Sequence, residues 1–216
     1  AALEAALAHG DVAAVLMEPA LTNIGIVLPE EGYLDDVRRL TRAAGTLLVI
    51  DETHTLCAGP GGATRAWGLE PDMLVVGKPI GGGVPAAAYG LSAEVAERLE
   101  KPMLSHDIDV AGVGGTLTGN ALALAAVRRT LSVALRDEDF AVAIPLAERW
   151  TDGVAGVIAD AGLPWHVQRL GAREDHFMPL SQLQHLPVQV LKIHPRFTSS
   201  LGSEPAGAAS EPEGAA

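Results

Sequence analysis

The chain has 216 residues, 27 of them acidic and 15 basic, for a net charge of −12. That balance excludes a nucleic-acid track or an anionic membrane surface as partner, and no apolar run approaches the ~20 residues of a membrane span. Hydrophobic residues make up 48% of the chain and aromatics only 4%, so the core must be built from small aliphatic side chains, in one large or two small domains.

Ala1 to His9 reads as the tail of a helix stopped at Gly10. Ala1-Ala2-Leu3-Glu4 carries neither an initiator Met nor a basic-then-apolar leader and reads as a cut end. Val12 to Met17 reads as a strand closing in Glu18-Pro19, and Tyr33 to Ala44 as a helix with Leu34, Val37 and Leu40 on one side and Gly45 as its stop. With Leu47 to Asp51 as the next strand, residues 12–51 form a β–α–β unit that should pair in parallel. The glycines of Leu56 to Gly68 predict an irregular loop. Met73 to Gly77 and Ala86 to Gly90 read as strands, and Ser92 as the cap of a helix over Ala93 to Leu99. Residues 101–115 read as loop. Asn120 opens a helix to about Leu135, and another spans Ala141 to Ala161, after or across Pro145. The expected fold is α/β, three layers with a mostly parallel sheet and flanking helices. Ser203 to Ala216 is Glu, Pro, Ala, Ser and Gly, a composition that predicts disorder.

Two apolar runs, Leu47–Ile50 and Met73–Val76, read as buried strands, and each ends abruptly in reactive residues. The first is followed by Asp51-Glu52-Thr53-His54-Thr55, the second by Gly77-Lys78-Pro79-Ile80-Gly81-Gly82-Gly83. Open α/β sheets bind ligands at the carboxyl ends of their strands. A lysine amine there can form a Schiff base with an aldehyde, provided a dry, glycine-lined pocket favours the neutral amine. A carboxylate beside it can keep a pyridine ring protonated as an electron sink. Together these are the needs of pyridoxal 5'-phosphate. The plainer readings are a surface lysine at Lys78, a helix cap at Asp51, a solvated strand end at Glu18 and a satisfied loop histidine at His54. His54 and Cys57 have no second pair at zinc-ligand spacing, so no metal is expected. Cys57, the one cysteine, excludes an internal disulfide and fits a reducing cytoplasm. Arg65, Arg128 and Arg129 are candidates for a substrate carboxylate, with nothing to choose among them.

Leu47 to Gly83, with Gly115-Thr116-Leu117-Thr118-Gly119-Asn120, resembles the class III aminotransferases of the type I pyridoxal-phosphate fold, glutamate-1-semialdehyde aminomutase in particular. The resemblance implies that Asp51 holds the pyridine nitrogen, Thr53 packs on the ring and His54 lies near the ring hydroxyl. Thr53 departs from the apolar residue common there, though its methyl can still pack. Lys78 would attach the cofactor and, once freed, move a proton as general base. Thr116 would reach the cofactor phosphate of a neighbouring subunit, and Glu18, in a matching Glu-Pro step, would support the region electrostatically. The resemblance further implies a homodimer, an amino donor and a keto acceptor, and a transaminase or aminomutase reaction.

By the same resemblance, residues 1–135 are a partial large cofactor-binding domain and 136–173 the start of a small C-terminal domain. Residues 174–202 diverge and 203–216 form an acidic tail. The stretch 181–193 resembles the last strand region of cyclic-di-GMP phosphodiesterases of the EAL family, with His194 where that family has an acid. The amino-terminal half of the large domain is missing, and with it a phosphate-binding turn and a ring-stacking aromatic. A catalytically incompetent fragment or partner-binding remnant, with exposed sheet edges and apolar surface, is therefore the second reading. The distant third is a DExH-type ATPase, since Asp51-Glu52-Thr53-His54 follows an apolar strand; no G-x-x-x-x-G-K-[ST] loop accompanies it.

Overall fold

A computed structural model of the chain describes residues 1–23, 25–104, 114 and 118–177. Helix α1 (Ala2–Leu7) leads into strand β1 (Ala14–Met17), helix α2 (Tyr33–Ala44) and strand β2 (Leu47–Asp51). β1 and β2 pair in parallel with Ala14 opposite Leu47, as the β–α–β reading requires. Val37 on α2 packs with Leu48 and Ile50 of β2, and Leu3, Val15, Met17 and Leu74 close around them. Full burial of each such aliphatic side chain contributes roughly 1.5–3 kcal/mol. The buried hydroxyl of Thr41 on α2 donates back to Val37 O at 3.0 Å, so it costs nothing unpaired.

The glycine-rich stretch after β2 is not irregular throughout. A 3-10 turn covers Thr55–Ala58 and a short helix, α3, covers Gly62–Ala66. The cause is Glu52, which is 1% exposed. Its carboxylate accepts the N–H groups of Ala63 (3.1 Å) and Thr64 and the Thr55 hydroxyl (2.5 Å). The group that orders the segment lies outside it, so the composition of the segment could not reveal the order.

Strand β3 (Met73–Val76) pairs in parallel with β2, and β4 (Ala88–Leu91) pairs antiparallel with β3, giving the order β1-β2-β3-β4. The sheet is thus mostly parallel, with an antiparallel edge. β2 has the expected buried centre, whereas β3 is half-buried along its length. β4 begins two residues later than its predicted span, because the 3-10 turn Lys78–Gly81 and the residues after it occupy the connection. At the start of helix α4 (Ala93–Leu104) the Val95 N–H donates to Ser92 Oγ at 3.3 Å, and the helix extends past its predicted end.

Helix α5 (Ala121–Val133) is capped by Asn120, whose Oδ1 accepts Ala123 N–H at 3.0 Å. Helix α6 (Asp137–Asp160) runs across Pro145 as one element, tolerating the one lost backbone bond. Asp139 anchors its start by accepting the Arg136 N–H at 3.1 Å. An antiparallel hairpin not foreseen in the sequence follows, β5 (His166–Leu170) and β6 (Arg173–Phe177). Leu170 at its turn joins Ala20 and Ile26 in a second apolar cluster, with Cys57 and Ala58 against it. The predictions for Thr116, the 181–193 stretch, His194 and the acidic tail lie outside the described residues. Among the described residues no helix is long and apolar enough to cross a membrane.

Candidate active site

Because β2 and β3 are parallel, with Asp51 opposite Val75, the residues that follow both strands leave the sheet at the same end. Asp51 is half-buried, and its Oδ1 accepts the Thr53 N–H at 2.8 Å. This Asx-type bond turns the chain back over the strand end. Lys78 opens the 3-10 turn with a φ of 45°, the one positive φ at a non-glycine among the described residues. Such backbone costs roughly 1–2 kcal/mol and collects at functional sites.

Lys78 is exposed, contrary to the dry pocket expected for it. Gly77 and Gly81 are buried beside its backbone, but the long side chain reaches past them. Its Nζ meets His54 Nε2. His54 Nδ1 in turn lies 2.9 Å from Nη1 of Arg173, at the start of β6. Burial, then the charges of Lys78 and Arg173, push the His54 pKa below its ordinary value, while Glu18 and Asp51 oppose the shift.

A cavity of about 400 Å³ opens on this cluster, lined by Thr53, His54, Lys78, Leu135, Phe140 and Arg173 among others. It joins the segment after β2, the Lys78 turn, the α5–α6 junction and the hairpin. α5 is held against the Lys78 turn where Gly82 (φ 56°) sits so near Thr130 that a Cβ would approach its Oγ1 to 2.5 Å. Asp51 does not line this cavity. Glu18 lines a separate hollow with Leu16 and Tyr33 and accepts the Thr22 hydroxyl at 2.7 Å. It is nonetheless close enough to His54 to act on its charge.

Of the arginines proposed from sequence, none lines the cavity. Arg65 is exposed on α3, and Arg128 and Arg129 face another depression on α5. The arginine that the fold delivers is Arg173, 119 residues from His54 in sequence. Glu52 also leaves the site, since its carboxylate is consumed by the start of α3. That removes the acid a DExH-type ATPase would need for metal and water.

The family model Aminotransferase class-III matches residues 1–150. The chain belongs to the class III aminotransferases. Its similarity to glutamate-1-semialdehyde 2,1-aminomutase of Thermomicrobium roseum is 39% identity over 166 residues, covering 76% of this chain and 37% of that one. A variant of a glutamate-1-semialdehyde-aminomutase from Pseudomonas aeruginosa PAO1, solved in complex with PMP, is 47% identical with a TM-score of 0.76, over 82% of this chain and 40% of that chain. An omega-transaminase from Sphaerobacter thermophilus is 32% identical with a TM-score of 0.62, over 73% and 35% of the two chains. This aminotransferase chain therefore spans well under half the length of these relatives. The comparisons agree with the α/β fold read from the sequence.

Proposed function

We propose that this chain is the lysine-bearing part of a pyridoxal 5'-phosphate-dependent transaminase or aminomutase, acting on an amino acid or amine with a keto acceptor. The observation that carries the reading is the delivery of Asp51 and Lys78 to one end of two neighbouring parallel strands, beside a cavity of about 400 Å³. PMP, bound by the similar Pseudomonas enzyme variant, is the amine form of the same cofactor. The cofactor, when bound, supplies an electron sink for charge that develops on the substrate carbon.

The residues present fit the ring side of that group. Lys78 Nζ would provide the amine that holds the cofactor aldehyde and the base for a proton at the substrate carbon. Asp51 keeps Oδ2 for the pyridine nitrogen while Oδ1 holds the Thr53 N–H. Thr53 offers its methyl to the ring, and His54 its imidazole to the ring hydroxyl. Glu18 supports the charge balance around His54. Thr116 would meet the phosphate of the other subunit in a homodimer. Residues 1–135 would form the cofactor-binding part and 136–173 the opening of the small domain. The single cysteine is compatible with a cytoplasmic enzyme.

Titration of the purified chain with pyridoxal 5'-phosphate tests this reading. A visible absorbance band should appear, survive dialysis and be absent from Lys78→Ala. An equal band in both proteins, or none, would leave family membership standing and remove the proposed activity, in favour of a catalytically incompetent fragment.

A further inference from the structure

A lysine ammonium and a guanidinium only donate hydrogen bonds, and an imidazole has one acceptor nitrogen when neutral and none when charged. Lys78 Nζ meets one ring nitrogen of His54, and Arg173 Nη1 lies 2.9 Å from the other. Whichever nitrogen carries the ring proton, the two cations share at most one acceptor there. The nearby carboxylates do not make up the difference. Asp175 Oδ2 takes Nε and Nη2 of Arg173 at 3.3 and 3.1 Å, and Thr22 O takes Nη2 at 2.8 Å. Asp139, which lines the cavity, is bound by the backbone N–H and the guanidinium of Arg136. Among the described residues Lys78 has no carboxylate within ion-pair distance. The rest of the lining is largely apolar, with Leu56, Pro79, Leu135, Phe140 and Ala143, and the volume of about 400 Å³ suits a small molecule.

From this shortage of acceptors beside an apolar lining we propose that the cavity takes an amino acid with one carboxylate and an apolar side group, and that Arg173 is the residue that determines this specificity. The inference rests on the proposed function for the reaction and narrows its substrates: simple amines and dicarboxylic amino acids are the disfavoured ones. An amine without a carboxylate brings no acceptor to Nη1. A second carboxylate would lie among Leu135 and Phe140 or beside Asp139, where loss of water without a partner is costly. Asp175 offsets one of the two positive charges and leaves one for the ligand. With Lys78 committed to the cofactor, Nη1 of Arg173 is the donor left for the substrate. The bonds on Nε and Nη2 hold the guanidinium plane in advance, so little side-chain freedom is lost when a carboxylate binds.

The experiment uses the full chain without cofactor and three probes of similar size: 3-phenylpropionate, its neutral amide, and phenylsuccinate, a dicarboxylate. Calorimetric titration reads the affinity. Histidine ring NMR signals locate the probe, with His54 assigned by the signal lost in His54→Leu. The monocarboxylate should bind saturably, move the His54 signal and exceed both other probes about tenfold in affinity, the effect of one charge-assisted hydrogen bond. Arg173→Met should remove the preference for acid over amide, and Arg173→Lys, which keeps a cationic donor, should retain part of it. If Arg173→Met loses its folded circular-dichroism spectrum, Lys78→Ala takes its place. That variant leaves the hairpin untouched and should keep a preference of about threefold or more; its loss there would assign the selectivity to Lys78 and overturn the proposal. No saturable binding, equal affinity for acid and amide in wild type, or an undiminished preference in folded Arg173→Met overturns it as well. The expected probe selectivity on a chain that forms no band with pyridoxal 5'-phosphate would sink the proposed function alone. A normal band with acid and amide bound alike would sink this inference alone.

Discussion

Glu52 shows how one side chain can carry a structural task inside a motif that reads as catalytic. With 1% exposure and three donors on its carboxylate, it replaces solvent for the first N–H groups of α3. Glu52→Gln puts an amide among those donors and leaves at least one without an acceptor. We expect a loss of about 1–3 kcal/mol, read as a lower urea midpoint with an unchanged slope. Cys57 gives a prediction in pH. Burial raises its thiol from an ordinary value near 9.0 to about 11, against the pull of Arg173. The folded chain keeps that proton while the unfolded chain sheds it. The stability this contributes is complete below pH about 9 and is lost as pH rises toward about 11. At pH about 8 the thiol should alkylate far more slowly than after unfolding in urea; equal rates would contradict its burial.

At the scale of elements, the β5–β6 hairpin decides whether the site is assembled. Ala172 N donates to Cys57 O at 2.9 Å, which docks the hairpin turn on the 3-10 turn after β2. Gly171 makes the dock possible: its φ is 58°, and a Cβ there would collide with the backbone of Cys57 and Ala58. Gly171→Ala should therefore push the hairpin away and carry Arg173 with it. We expect a loss of about 2 kcal/mol or more, read as a lower urea midpoint. A variant of wild-type stability would show that the turn is not held there. The hairpin also brings to the cavity an arginine that pattern along the chain does not mark. Arg128 and Arg129 sit on a helix legible from its apolar spacing, but they face another depression, while Arg173 reaches His54 only because a distant turn packs on a glycine.

At the scale of the molecule, much apolar surface is open. Leu16 on β1 is 67% exposed, Leu122 on α5 69% and Val142 on α6 63%. Among the described residues β1 is an edge strand, and an exposed apolar side chain on an edge invites association. Leu16→Lys should change stability by less than about 0.5 kcal/mol while raising the soluble fraction at high concentration. A large loss of stability instead would mean that Leu16 is packed in the isolated chain.

How far the sequence reaches follows from the range of the forces involved. The β–α–β unit, the helix capped by Asn120, and the delivery of Asp51 and Lys78 to strand ends depend on local periodicity, caps and glycine punctuation, and they are legible in the sequence. So are the cofactor chemistry those residue types invite and the family they resemble. The buried Glu52, the exposed Lys78 and the tether from Arg173 through His54 are contacts between segments far apart in the chain. Pattern along a chain records which side chains want burial or a turn; it does not record which distant donor meets which acceptor. Packing alone decides that, because a hydrogen bond reaches about 3 Å and its partner here arrives on a hairpin 119 residues away.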